Sequence, residues 1–175
     1  MKKMNGSVKS VIVLTVICLI VTVLLALTNS VTKPVIDRSR AEKVNSSLKV
    51  VLPDSGTFTE VELPEGVSPV VKKVFKAEDG SYAVVLATRS SYSSDDMGIT
   101  VGIDPDGKIK GITLTSYKES KDFGKDTYPQ NYLEKDSSNY TEVDSFAGVT
   151  YSSKALKEAI GHAFEAVEMI KGGEA

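Results

Sequence analysis

Apolar residues run from Val11 to Leu27 without a single charge, inside a stretch Val8–Thr28 that reads VKSVIVLTVICLIVTVLLALT. That is about the length a helix needs to cross a hydrocarbon core of roughly 30 Å. The pattern then becomes periodic. Between Thr32 and Leu52, Val35, Ile36, Ala41, Val44, Leu48 and Val51 recur at roughly helical spacing. This predicts a second, juxtamembrane helix with Thr32 as N-cap, Pro34 in its first turn and Pro53 as its stop.

From Pro53 to Pro69 the chain is rich in Pro, Gly, Asp and Glu, which predicts loops with one short strand near Thr57–Val61. Two β-branched runs follow, Val70–Lys76 and Tyr82–Thr88, separated by the hairpin signal Glu78-Asp79-Gly80. A second pair, Gly98–Asp104 and Lys108–Tyr117, flanks Asp104-Pro105-Asp106-Gly107, where Pro presets the turn and Gly accepts a positive φ. Glu119 to Tyr140 is polar and aromatic, with loops and a helical turn or two expected. The last element is a helix expected over Ser153–Ile170, with Leu156, Ala159, Ile160, Ala163, Phe164, Val167 and Ile170 on one apolar stripe. Helix, strands, loops and helix in that order predict an α+β fold, a twisted antiparallel sheet with packed helices. The expected organisation is a tip and transmembrane helix over 1–29, a juxtamembrane helix over 30–53 and one domain over 54–175.

Charge changes this picture by giving it a direction. The first 43 residues hold seven basic and two acidic side chains; the remaining 132 hold 14 and 21. A basic start and an acidic body suit a chain that meets a bilayer first and water afterwards. They also exclude nucleic acid as a partner, since the body carries no basic stripe to neutralise phosphates. Lys2, Lys3 and Lys9 precede the apolar run, so the positive-inside rule puts residues 1–9 in the cytoplasm and everything after Asn29 on the far side of the membrane. A cleaved signal peptide is the rival reading, but Ala26-Leu27-Thr28 is a poor small-x-small site. Cys18 is the only cysteine, which excludes an internal disulfide and any Cys-built metal centre.

The candidate chemistry lies just before the last helix, in Asp144-Ser145-Phe146-Ala147-Gly148-Val149-Thr150-Tyr151-Ser152-Ser153. Ala147 and Gly148 permit close approach of a ligand to the backbone. Thr150, Ser152 and Ser153 set three hydroxyls where a helix start favours a phosphate. On the residues alone, ordinary N-capping explains the same cluster. His162, the only histidine, reads as a boundary residue of the last helix, and Asp95-Asp96 as part of a solvated loop.

The segment resembles the FMN-binding domain shared by the G subunit of the Rnf complex and the C subunit of the sodium-pumping NADH:quinone oxidoreductase. In that motif a Thr before the C-terminal helix is esterified to the phosphate of FMN. Asp144, Gly148, Thr150 and Ser153 match it in register, with Ala147 where Ser or Thr is usual and Val149 where Ala is usual. A second likeness runs through Gly98–Asp104 and Gly107–Ile112 into a loop that touches the flavin ring in the family; here that loop offers Glu119, Ser120, Phe123 and Gly124, with Lys121-Asp122 where the family has Pro-Gly. The resemblance implies FMN held covalently on Thr150, with Tyr151 and Ser152 beside it. It further implies a flavin transferase for maturation and membership of a membrane assembly that couples electron flow between ferredoxin and NAD to ion movement. Two other readings stay open: a flavin carrier of another extracytoplasmic electron-transfer system, and a membrane-anchored binding domain without flavin.

Overall fold

The structure, a computed structural model, describes residues 6–90, 95–118, 124 and 126–173. It comprises two compact units, residues 1–42 and residues 43–175.

The first unit contains most of helix α1 (Gly6–Val51), which takes in both helical stretches expected from the sequence. Thr32 is therefore an interior position and not a cap. Its capping signal is local and yields to helical neighbours on both sides, although Pro34 within the helix has no N–H to give. The apolar run is exposed throughout, with Val11, Leu14, Leu19 and Leu25 each more than half accessible. At about 25 cal/mol per Å² such a surface is costly in water and costs nothing in hydrocarbon. Its hydroxyls are satisfied within the helix: Thr15, Thr22 and Thr28 donate to the carbonyls of Val11, Cys18 and Leu24 at 2.9, 2.8 and 2.8 Å. Internal pairing of this kind is what a bilayer demands of polar groups.

The second unit is an antiparallel meander of five strands, β1 (Phe58–Val61), β2 (Val71–Ala77), β3 (Tyr82–Thr88), β4 (Met97–Ile103) and β5 (Ile109–Ser116), in that spatial order. It is closed by helix α2 (Thr150–Gly173). The α+β architecture and all five strands follow the sequence expectation. Both long hairpin turns close through an i to i+3 hydrogen bond ending on a glycine at φ 85°: Gly80 N–H to Ala77 at 3.1 Å and Gly107 N–H to Asp104 at 3.0 Å. In the second, the Asp104 carboxylate also accepts the N–H of Lys108 at 2.8 Å.

Period-two alternation gives the sheet two apolar faces. Met97, Ile99, Val101 and Ile103 join Val84 and Leu86 on one face, where the buried stripe of α2 covers them. Leu156, Ile160, Phe164, Val167 and Ile170 in that stripe are each worth about 1.5–3 kcal/mol of burial. On the other face, Phe75, Ala83 and Val85 pack with Leu48, Val51 and Leu52 from the end of α1. Here β4 offers Thr100 and Gly102. Thr100 shares a buried hydrogen bond with Ser47 at 2.9 Å. Gly102 pairs across the sheet with Gly111, and the two make a notch that receives the α1 backbone. A β-carbon on Gly102 would stand 2.9 Å from the Val51 carbonyl oxygen, and one on Gly111 would overlap Val51 outright. Residues 43–52 thus belong to the same compact unit as the sheet.

Candidate functional site

Beyond β5 the chain folds back along the sheet edge. Glu134 N–H donates to the Ile109 carbonyl at 2.8 Å and Ile109 N–H to that of Lys135 at 2.9 Å, so the opening of β5 is not left bare. The 3₁₀ turn Tyr128–Tyr132 precedes this pairing and buries both tyrosines. Burial, reinforced by the Tyr128 hydroxyl, pushes the Tyr132 phenol well above the usual tyrosine range. A second 3₁₀ turn, Tyr140–Glu142, packs on α2. A β-carbon on Gly161 would lie 2.6 Å from the Tyr140 hydroxyl, so the absence of a side chain there lets the Tyr140 ring lie close against the helix.

The hydroxyl cluster sits at the head of α2, arranged differently from a set of caps. The helix begins at Thr150, three residues before the expected start, and the Val149 carbonyl accepts its first bond, from Ser153 N–H at 3.1 Å. Val149 therefore holds the cap position, and its apolar side chain cannot cap. Ser153 is fully buried and binds outward: its hydroxyl donates to the Val149 carbonyl at 3.0 Å and accepts the N–H of Phe146 at 3.1 Å. Ser152 is also buried, whereas Thr150 and Tyr151 face solvent.

Between Phe146 and Val149 the chain makes a tight turn, with Val149 N–H on the Phe146 carbonyl at 3.1 Å. Ala147 and Gly148 are its central residues. Gly148 has φ 84°, as the third position of a type II turn requires, and nothing lies within 4 Å of where its β-carbon would stand. The turn thus presents open space directly before an exposed hydroxyl.

Of the other expected site residues, Asp144 enters through its backbone: its carbonyl accepts the Tyr128 hydroxyl at 2.9 Å. Gly124, at φ 66°, gives its carbonyl to the N–H groups of Thr127 and Tyr128 at 2.8 and 2.7 Å. A β-carbon on it would lie 3.9 Å from the Phe146 ring, so Gly124 lies beside Phe146. Glu119, Ser120 and Phe123 lie outside the described residues. Phe146 and Tyr128 were not among the expected site residues. Their rings meet edge to face at 5.7 Å, and only their spacing around the glycine turn, read together with the fold, could have singled them out. His162 pairs with Glu165 at 2.9 Å, and Asp95 and Asp96 pair with Lys118 and Arg89, all at the surface. Among the described residues, no group of His, Cys, Asp and Glu is placed to hold a metal.

An exposed hydroxyl at the positive end of a helix dipole, behind a glycine turn, is suited to a phosphate, whether bound or esterified. Residues 92–165, which contain the turn, Thr150 and most of α2, match the FMN-binding domain family. Residues 1–51 match the RnfG N-terminal region. The chain is also 24% identical over 176 residues to the G subunit of the proton-translocating ferredoxin:NAD(+) oxidoreductase complex of Clostridium ljungdahlii, a match that covers 92% of this chain and 91% of that protein. The chain thus matches an RnfG N-terminal region followed by an FMN-binding domain, the order in which its sequence resembles the RnfG-type proteins.

Proposed function

We propose that this chain is the membrane-anchored flavin carrier of an Rnf-type ion-translocating ferredoxin:NAD oxidoreductase, with FMN joined to Thr150 through its phosphate. The observation that carries the reading is the exposed Thr150 hydroxyl at the first position of α2, behind the open turn at Gly148.

The residues fit the group. In attachment the Thr150 oxygen would bond the FMN phosphorus as the phosphoanhydride bond of a flavin dinucleotide donor breaks; AMP and the hydroxyl proton would leave, and the chain would gain FMN minus water. The remaining phosphodiester charge then rests against the N-terminus of α2, where it is favoured by about 0.3–1 kcal/mol at an exposed position. Gly148 leaves room for it, and Ser153 keeps the turn closed behind it. FMN supplies the redox chemistry when bound; the protein supplies placement and surroundings. A covalent tether holds the cofactor at high effective concentration whatever its affinity, which matters outside the cytoplasm, where lost FMN is not readily replaced.

The partners in this reading are the bilayer around the apolar part of α1, the other subunits of the complex, and a flavin transferase. Lys2, Lys3 and Lys9 favour a cytoplasmic N-terminus and an extracytoplasmic flavin domain, and the likeness to the Clostridium ljungdahlii subunit favours residence in the inner, cytoplasmic membrane of a bacterium. Intact mass of the full chain co-produced with a flavin transferase tests the central claim. Wild type should gain FMN minus water and Thr150→Ala should not. An unmodified wild type would instead favour a membrane-tethered module without flavin.

A further inference from the structure

We propose that Phe146 is the aromatic wall against which the flavin ring system rests, and that Tyr128 is the positioning residue that holds this wall in place. The inference rests on attachment at Thr150 and adds a ring-binding surface to it.

Phe146 is 39% exposed, unlike the neighbouring Tyr128 and Tyr132, which are 4% and 0% exposed. An exposed aromatic on a loop is ordinarily free to move, yet this one is fixed from three sides. Its N–H is held by the Ser153 hydroxyl at 3.1 Å. Its carbonyl is held by Val149 N–H at 3.1 Å across the glycine turn. Its ring meets Tyr128 at 5.7 Å and 72° between planes. Tyr128 is in turn anchored by its hydroxyl on the Asp144 carbonyl at 2.9 Å, two residues before Phe146. These contacts order the side chain without burying it.

The edge-to-face geometry matters. Whichever ring supplies the edge, Phe146 keeps at least one π face that Tyr128 does not cover. That face belongs to a residue whose Cα lies within about 7 Å of that of Val149, as the turn requires, and so beside Thr150. A planar aromatic ring system tethered at Thr150 through a flexible linker needs such a surface to adopt one orientation. A flat, preorganised aromatic provides it at little entropic cost.

The full chain, co-produced with a flavin transferase and held in detergent micelles, tests this in wild type, Phe146→Leu and Phe146→Trp. Intact mass reports loading; visible circular dichroism and fluorescence of the attached flavin report contact. Loaded Phe146→Leu should lose at least half of the visible dichroism of wild type, because the ring loses its fixed neighbour. Phe146→Trp should keep the dichroism and show several-fold weaker flavin fluorescence, since an indole quenches flavin by electron transfer at ring contact. Loaded variants that match wild type in both signals overturn the role of Phe146 and leave attachment at Thr150 standing. Wild type without added mass overturns attachment and this inference together. Should Phe146→Leu fail to load, the fluorescence of Phe146→Trp decides: quenched supports the wall, unquenched overturns it.

Discussion

The hydroxyl of Ser153 accepts the N–H of Phe146 at 3.1 Å while donating to the carbonyl of Val149 at 3.0 Å, so one buried side chain clamps both ends of the turn in front of Thr150. Ser153→Ala removes the clamp and leaves a partly buried N–H without its acceptor. The loss should be about 1–3 kcal/mol. Urea unfolding of the chain in micelles would measure it, and intact mass should show a smaller flavin-bearing fraction. Unchanged stability would mean that water replaces the hydroxyl.

The glycine notch makes a contrasting prediction. Gly111→Ala sets a methyl group into the backbone of Val51, and overpacking of this kind costs about 1–3 kcal/mol or more. Gly107→Ala meets nothing within 4 Å and bears only the strain of a positive φ, roughly 1 kcal/mol. Gly111→Ala should also make residues 43–52 more sensitive to protease than Gly107→Ala does. Equal effects would mean that the end of α1 shifts aside freely.

Tyr132 should make the domain sensitive to base. Its phenol titrates higher in the folded state than in the unfolded chain, first through burial and then through Tyr128. A raised folded value contributes stability that is fully present below the unfolded pKa of about 10 and is lost as pH rises beyond it. Unfolding midpoints should therefore decline above that pH, and Tyr132→Phe should flatten the decline. Tyrosinate absorbance of wild type against Tyr132→Phe should show the Tyr132 phenol ionising at higher pH in the folded domain than in the unfolded chain.

The strands and their turns were legible because their signals are local: β-branched runs broken by Asp-Gly pairs, with Gly80 and Gly107 both at φ 85°. The stripe from Leu156 to Ile170 was legible for the same reason, whereas Thr150 was singled out only by the likeness of its segment to the FMN-binding motif. What the sequence concealed was non-local. Thr32 and Pro34 look like a helix start until flanking helical residues on both sides outweigh them. Gly102 and Gly111 look like weak points in strands until Val51 is laid across them. The three serine and threonine hydroxyls look like interchangeable caps, and burial separates them: Ser153 braces the turn while Thr150 alone of the matched hydroxyls faces outward. Phe146 was hidden because an aromatic in a loop reads the same whether it is buried or displayed.

The notch at Gly102 and Gly111 bears on how the chain can be severed. Release anywhere between the apolar run and Lys43 yields a piece whose sheet is still clad on both sides, with Leu48, Val51 and Leu52 in place. Release at Pro53 strips that cladding and bares Phe75, Ala83 and Val85 around a flat strip of glycine. An uncovered apolar sheet face of that kind invites self-association. The last turns of the first helix are thus part of the domain's own fabric, and a shed, water-soluble form of this protein has to carry them with it.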